Sequence, residues 1–144
     1  IETDWQAMIP EDYVDITAEK IRIYKTLDSM NSDKAIDAYA KQIKDRFGEL
    51  PQETKNLITV VKLRNLGSRL GFEKIIYKNK MLIAFFVKNQ MSPYYKSKTF
   101  SDIIEKLAGI NGINLSQSDK GMLKIVTKEV LTLDNAYLIL SKLQ

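Results

Sequence analysis

Residues 70–87 of this chain read LGFEKIIYKNKMLIAFFV, and this stretch decides the fold class. Before Gly71 the apolar residues recur at helical spacing, whereas after it they are dense, β-branched and aromatic, as in strands. The pattern predicts a hairpin of strands Phe72–Tyr77 and Met81–Val87, with its turn at residues 78–80, because Asn79 tolerates the turn conformation. The second strand is apolar on both faces, so we expect it to be central and covered on both sides.

Upstream of this hairpin, the pattern predicts an extended N-terminal arm followed by a first helix. Residues 1–16 lack a helical period, and Ile9-Pro10 favours extended backbone before the proline. The arm is expected to lie on the body of the protein through Trp5, Ile9, Tyr13 and Val14. The first helix is expected to begin at Thr17 as its cap and to bury Ile21, Tyr24 and Leu27.

Two further helices are predicted before the hairpin. The second starts at Asn31 or Ser32, either of which caps a first turn, and it ends at Gly48. Its predicted buried face consists of Ile36, Tyr39, Ala40, Ile43 and Phe47. Pro51 opens the third helix, which runs through Leu57, Val60, Val61, Leu63 and Leu70 to Gly71.

Downstream of the first hairpin, two more helices flank a second hairpin. Thr99 is the predicted cap of a short helix that ends at Gly109, and Thr132 caps the last helix. Strands 113–116 and 122–126 flank a turn at residues 118–121. The fold class is therefore α+β: an N-terminal three-helix cluster packed on a small antiparallel sheet of two hairpins, with a connecting helix and a C-terminal helix. We expect a single domain over residues 1–144, made of the arm (1–16), a helical part (17–71) and a hairpin sheet with helices (72–144).

Composition excludes several classes of function. The chain has 144 residues, with no Cys and no His, which removes disulfides, thiol nucleophiles, imidazole bases and the usual zinc ligands. The longest apolar run, Met81–Val87, is too short to span a bilayer, so we expect no membrane association and a cytoplasmic protein. The first residue is Ile1 and not Met, which indicates a fragment of a larger multidomain protein.

Positive charge is concentrated in the second half of the chain. Residues 71–144 carry 11 Lys and six acidic residues, whereas residues 1–70 carry 11 Lys and Arg and 12 acidic residues. A solvated, solubilising face is one interpretation, and a nucleic-acid-binding module is the alternative. The alternative would use Lys74, Lys78, Lys80, Lys88, Lys96 and Lys98, with Tyr94 or Tyr95 stacking on bases.

No catalytic constellation is recognisable in the sequence. Residues 45–48 (DRFG) match the Asp-Phe-Gly motif of kinases only if one residue is skipped, and no phosphate-binding glycine loop accompanies them. The pair Glu11 and Asp12 has the ligand type of a hard-cation site but lacks the further converging oxygens that such sites need. We therefore expect no enzyme activity, no metal and no cofactor in this domain.

Several segments, in the same order, resemble one known family. Residues 7–14 (AMIPEDYV) are similar to its LIP-x-D-Y/F-I/V segment, and residues 22–25 (RIYK) to its R-L-x-x-Y-K helix. The strongest similarity is in residues 43–51 (IKDRFGELP), close to L-x-D-R-F-G-x-L-P. The family is the C-terminal domain of the bacterial transcription-repair coupling factor (TRCF), and the resemblance is good over residues 7–87 and thin beyond them.

This resemblance implies a noncatalytic, autoinhibitory domain of a DNA-repair protein. It implies that the domain docks on a UvrB-like module of the same polypeptide, restrains an ATP-dependent DNA translocase and masks the surface that recruits UvrA in nucleotide excision repair. ATP, Mg²⁺, DNA and RNA polymerase are then bound by other domains of the parent protein.

The resemblance also implies where the docking site lies. Acidic side chains three residues apart at the end of the second helix would face arginines of the UvrB-like module. Asp45 matches the second of them, whereas Gln42 stands where the family has Glu. Arg46, beside Asp45, completes the predicted interface, although Asp45 and Arg46 could instead only hold the turn between two helices.

Overall fold

A computed structural model describes residues 1–144 and contains two compact units. The helical unit is Trp5–Asn65, and the sheet unit combines Ile1–Asp4 with Leu66–Gln144. The five helices and five strands confirm the α+β class. Whether residues 1–144 behave as one domain, as the sequence suggested, stays a prediction.

The helical unit contains α1 (Thr17–Ser29), α2 (Asp33–Phe47) and most of α3 (Gln52–Leu70). Each of the two shorter helices buries a stripe, which is Ile23 and Leu27 in α1 and Ile36 and Ile43 in α2. The core of the unit is completed by the arm and α3 through Ile9, Val14, Leu57, Ile58 and Val61. The predicted α2 face is confirmed, with Tyr39, Ala40 and Phe47 packed against this core.

Two predictions for α1 are wrong. Thr17 is the first helical residue rather than the cap, because Ile16 occupies the cap position and offers no side-chain hydrogen bond. Ile21 does not face the core and is 48% exposed, whereas Ile23 is buried. The stripe is set by Ile23 and Leu27, which are four residues apart, and Ile21 lies about half a turn away from Ile23.

The arm is fixed to α3 by polar contacts. Thr54 and Asn56 are buried on α3; Thr54 Oγ1 donates to the Met8 carbonyl at 3.1 Å, and Asn56 Nδ2 donates to the Gln6 carbonyl at 2.8 Å. The start of the arm differs from the prediction. Residues Glu2–Thr3 form a strand, β1, which belongs to the sheet unit.

The sheet unit is built on β2 (Lys74–Lys78), β3 (Met81–Phe85), β4 (Asn114–Gln117) and β5 (Leu123–Thr127). The strand order is β1-β2-β3-β5-β4, so β3 is central, as predicted. The prediction that both of its faces are covered is wrong, because Leu82 and Ala84 are buried whereas Met81, Ile83 and Phe85 are only half-buried. The two hairpins are antiparallel, but β1 pairs with β2 in parallel. The sheet is therefore mixed, whereas a purely antiparallel sheet was predicted. The sequence does not reveal β1, because a strand of two residues shows no periodicity.

Two helices and a ring cluster complete the sheet unit. Helix α4 (Lys98–Ala108) is capped by Ser97, whose Oγ accepts from Phe100 N. The prediction that Thr99 caps this helix is wrong. Helix α5 (Leu133–Ser141) is capped by Thr132, as predicted. An aromatic cluster is formed by rings with centroids 4.8–6.3 Å apart: Phe72, Phe86, Tyr94, Tyr95 and Phe100.

Candidate docking surface on the second helix

The C-terminal end of α2 is a helix terminus held by hydrogen bonds. Ser32 Oγ accepts from Ala35 N at the start of the helix, which selects Ser32 over Asn31 as the cap. At the other end Gly48, with φ of +96°, stops the helix in the left-handed region, and its N–H donates to the Lys44 carbonyl at 2.8 Å. Tyr13 Oη donates to the Gly48 carbonyl at 2.7 Å, which closes the terminus against the arm.

Asp45 lies in the last turn of α2 and is exposed. Its carboxylate has no ion pair and no hydrogen-bond partner within the chain. A negative charge there meets the negative end of the helix dipole, at a typical cost of about 0.3–1 kcal/mol. The fold therefore gains nothing from Asp45, and this charge is available to another molecule.

Arg46 is used within the helical unit. Its guanidinium donates to Glu19 of α1 at 2.8 Å, and the same carboxylate also binds Arg22. The Arg46 guanidinium carbon also lies 5.0 Å from the Phe47 ring centroid. The hydrogen bond from Arg22, with a smaller effect of Arg46, lowers the pKa of Glu19. Arg46 thus joins α1 to α2, although its side chain remains 60% exposed.

Gln42 lies one turn before Arg46 and is exposed. Both side chains line a shallow depression of about 100 Å³ between α1 and α2, together with Glu19, Arg22, Ile23, Tyr39, Ile43 and Phe47. Asp45 does not line this depression. The structure therefore brings Gln42 and Arg46 together and places Asp45 beside them on the same helix end.

Glu19 also belongs to this surface and was not predicted from the sequence. The available signal was the three-residue spacing of Glu19 and Arg22, which places both on one face of a helix. Pairing of Glu19 with Arg46, 27 residues away, needs the α1–α2 geometry and is not visible in the sequence. The role of Gln42, Asp45 and Arg46 as an interdomain interface stays a prediction.

Tyr94 and Tyr95, the residues predicted to stack on bases, pack within the sheet unit. Tyr94 Oη donates to the Leu70 carbonyl at 2.7 Å, and Tyr95 Oη donates to the Val87 carbonyl. Burial, with a smaller effect of Tyr95, raises the pKa of Tyr94 to about 12. Both rings also contact Phe100, so packing within the sheet unit accounts for the pair.

Three of the six lysines in the nucleic-acid alternative form ion pairs, and three do not. Lys74 and Lys78 lie 3.2 and 3.8 Å from Glu2 carboxylate oxygens, and Lys98 lies 2.8 Å from Asp102. The remaining three, Lys80, Lys88 and Lys96, are exposed and make no ion pair. Nucleic-acid binding stays an untested prediction.

Three features bear on catalysis, metals and membranes. The run Asp45–Gly48 is a helix terminus, and Phe47 packs against the core of the helical unit. No group of three or more acidic side chains comes close enough together to hold a metal ion. None of the helices combines the length and the hydropathy that crossing a bilayer requires.

Comparison with solved structures gives a match over nearly the whole chain. The structure described as the C-terminal domain of transcription-repair coupling factor superposes with a TM-score of 0.79, covering 99% of this chain and 90% of that one. Because the sequence identity is 18%, this match establishes the fold alone.

Comparison with curated sequences gives relatives named transcription-repair-coupling factor. The protein from Rickettsia bellii is 31% identical over 81 residues, which are 56% of this chain and 7% of that protein. The proteins from Haemophilus influenzae and Escherichia coli are 32% and 26% identical over 94 residues, which are 65% of this chain and 8% of each relative. The chain therefore spans a small fraction of these proteins. The family model described as the TRCF domain matches residues 3–97, well over half of the chain, and this chain belongs to the TRCF domain family.

Proposed function

We propose that this domain is the noncatalytic, autoinhibitory domain of a transcription-repair coupling factor. In this proposal the C-terminal end of α2 docks on a UvrB-like module of the same polypeptide. Docking restrains the ATP-dependent DNA translocase of the parent protein and covers the surface that recruits UvrA. DNA, ATP with Mg²⁺, and RNA polymerase are bound by other domains, and the protein acts in nucleotide excision repair in the bacterial cytoplasm.

The position of Asp45 carries this proposal. An exposed carboxylate at a helix C-terminus, with no partner inside the chain, has no stabilising role in the domain itself. An arginine from another module would supply the missing partner. A charge-assisted hydrogen bond of this kind contributes on the order of 1.5–3 kcal/mol.

Such a contact can be both closed at rest and reversible. Two modules tethered in one chain have an effective concentration often near 1 mM, so a modest interface holds them together. Interfaces between domains of one chain are typically polar and limited in area, so a conformational change elsewhere can open them. Loss of Asp45 should therefore shift the closed–open balance and leave the fold intact.

The test is Asp45→Asn in the full-length parent protein. We expect higher basal ATP hydrolysis without RNA polymerase, and more UvrA captured in a pull-down, because the closed state is weakened. The matched control is Asp119→Asn, which removes another exposed and unpaired aspartate, located in the β4–β5 turn. Unchanged hydrolysis and unchanged UvrA capture in Asp45→Asn would contradict the proposal.

A further inference from the structure

The outward face of the sheet has an unusual side-chain pattern. On the inward face, Ile75, Tyr77, Leu82, Ala84 and Ile125 are buried. A solvated outward face of an antiparallel sheet is normally polar. Here all five residues of β3 are apolar, so the outward positions of the central strand also carry apolar side chains, namely Met81, Ile83 and Phe85.

The strand register arranges these outward side chains in rows. One row places Ile76, Ile83 and Val126 opposite one another across β2, β3 and β5. The next row places Phe85 between Lys74 and Lys124. All four apolar members of these rows, Ile76, Ile83, Phe85 and Val126, are only half-buried.

Lysines border this apolar centre on both sides. Lys74 and Lys78 lie on β2, and Lys124 lies on β5, where its Nζ is 5.8 Å from the Phe85 ring centroid. We call this surface the lysine-framed face; it consists of Lys74, Ile76, Lys78, Ile83, Phe85, Lys124 and Val126. Its acidic neighbours lie at the β2 edge: Glu2 on β1 is opposite Ile76 in the register, and Asp4 Oδ2 accepts from Asn79 N, beside Lys78. Lys124, at the β5 side, makes no ion pair, so a positive surplus remains there.

Glu2 indicates what these lysines bind. Its carboxylate sits between Lys74 and Lys78, at 3.2 and 3.8 Å, on an extended segment added to the sheet edge. The chain itself thus provides one example of a carboxylate recognised by this face. The lysines of β2 and β5 are two strands apart, about 10 Å. That spacing is close to the width of an α-helix with its side chains, about 10–12 Å.

We propose that the lysine-framed face is a docking surface for an amphipathic helix of a partner protein, whose apolar stripe is flanked by Asp and Glu. The apolar stripe would cover Ile76, Ile83 and Val126, and the acidic flanks would meet Lys74 and Lys124. A nucleic acid fits this face less well. Its centre offers one aromatic ring rather than a series of stacking rings, and its cations are all lysines without an arginine fork.

This inference is independent of the role assigned to α2, and it is tested on the 144-residue chain itself. The probe is a synthetic peptide about 18 residues long, with Leu at helical spacing and Glu on both flanks. The same peptide with Lys in place of Glu, and an oligothymidylate of about 15 nucleotides, are the comparison ligands. Binding is followed by ¹⁵N-resolved NMR, which locates the contact on the sequence.

We expect the Glu peptide to bind and to shift the amides of Ile76, Ile83 and Val126, and the Lys peptide not to bind. Lys124→Glu should weaken the Glu peptide about tenfold, whereas Lys120→Glu in the β4–β5 turn should change it less than about twofold. Lys120 is exposed and Lys124 is half-buried, so the fold of each variant is checked in the same spectra before affinities are compared. No binding at about 1 mM peptide, shifts confined to other residues, or tighter binding of the oligothymidylate on this face would each overturn the proposal.

Discussion

The two units of this domain use their charges in opposite ways. The helical unit has ten Lys and Arg against ten Asp and Glu, and its three arginines all bind carboxylates of the same unit. The sheet unit has twelve Lys and Arg against eight Asp and Glu, and this difference accounts for the whole net charge of +4. In the helical unit, Asp45 is an unpaired acidic side chain at the end of α2. In the sheet unit, the excess of positive charge comes from lysines. Each unit is therefore suited to a partner of different charge.

Glycine gives the strongest contrast between the units. Gly71 has φ of +88°, and a Cβ there would lie 2.1 Å from Tyr94 Cε1, whereas Gly48 has φ of +96° and open space around it. We expect Gly71→Ala to lower the free energy of unfolding by about 2–4 kcal/mol, since backbone strain adds to a clash with the aromatic cluster. Gly48→Ala should cost less, about 1–3 kcal/mol, from backbone strain alone. Urea denaturation followed by near-UV circular dichroism measures both, and equal losses would contradict the difference.

The Tyr94 hydroxyl joins the aromatic cluster of the sheet unit to the Leu70 carbonyl, and removing it measures what this hydrogen bond contributes to stability. Tyr94→Phe removes the hydrogen bond to the Leu70 carbonyl, and we expect a loss of about 1 kcal/mol in the free energy of unfolding near neutral pH.

The same residue predicts an alkaline pH dependence. The folded-state pKa of Tyr94 is raised by burial to about 12. A raised pKa means that the neutral form is favoured by folding, so this contribution is present below about pH 10 and is lost as pH rises from about 10 to 12. Denaturation of the wild type and of Tyr94→Phe across this range should converge. A constant difference between the two proteins would contradict the assignment.

A negative charge added at Gln42 tests the docking surface at the end of α2. Gln42→Glu places a second carboxylate beside Asp45, at the edge of the depression that residue 42 lines together with Arg22 and Arg46. We expect the domain to bind the UvrB-like module about three- to tenfold more tightly, because a second acidic group can meet an arginine of the partner. Gln6→Glu, which adds the same charge in the arm, is the control. An equal gain in both variants would indicate a general charge effect.

The arginine pairs of the helical unit give the smallest expected effect. Arg22→Ala and Arg46→Ala should each raise the pKa of Glu19 toward its ordinary value, and Arg22→Ala should do so more, because the Arg22 hydrogen bond is the larger cause. The lowered pKa of Glu19 stabilises the fold above the ordinary carboxyl pKa, and this contribution is lost as pH falls through the folded value. NMR titration of the Glu19 carboxyl measures the shifts, and the reverse ranking would contradict this cause.

Much of the fold was predictable because local chemistry agrees with the tertiary structure. Ser32, Gly48 and Thr132 mark helix ends by capping, and the apolar run of β3 marks the central strand. The errors lie where a local pattern is ambiguous. Ser97 and Thr99 are both plausible caps, and only the 3₁₀ turn at Pro93–Lys96 selects Ser97. Strand β1 is too short to show any period.

The candidate site was predictable only in part. A helical wheel places Gln42 and Asp45 on an exposed edge of α2, and both are exposed in the structure. A helical wheel does not distinguish Asp45, which is unpaired, from Arg46, which binds Glu19, because that ion pair depends on how two helices pack. The lysine-framed face likewise depends on a strand register across β2, β3 and β5.

The most direct test of the docking role is the affinity of the 144-residue chain for the isolated UvrB-like module of its parent protein. We expect Asp45→Ala, which removes the acceptor group, to weaken this affinity about 10- to 150-fold, the equivalent of one charge-assisted hydrogen bond, while Asp119→Ala leaves it within about twofold. Equal affinities of the wild type and Asp45→Ala would contradict the claim that the end of α2 is the docking site.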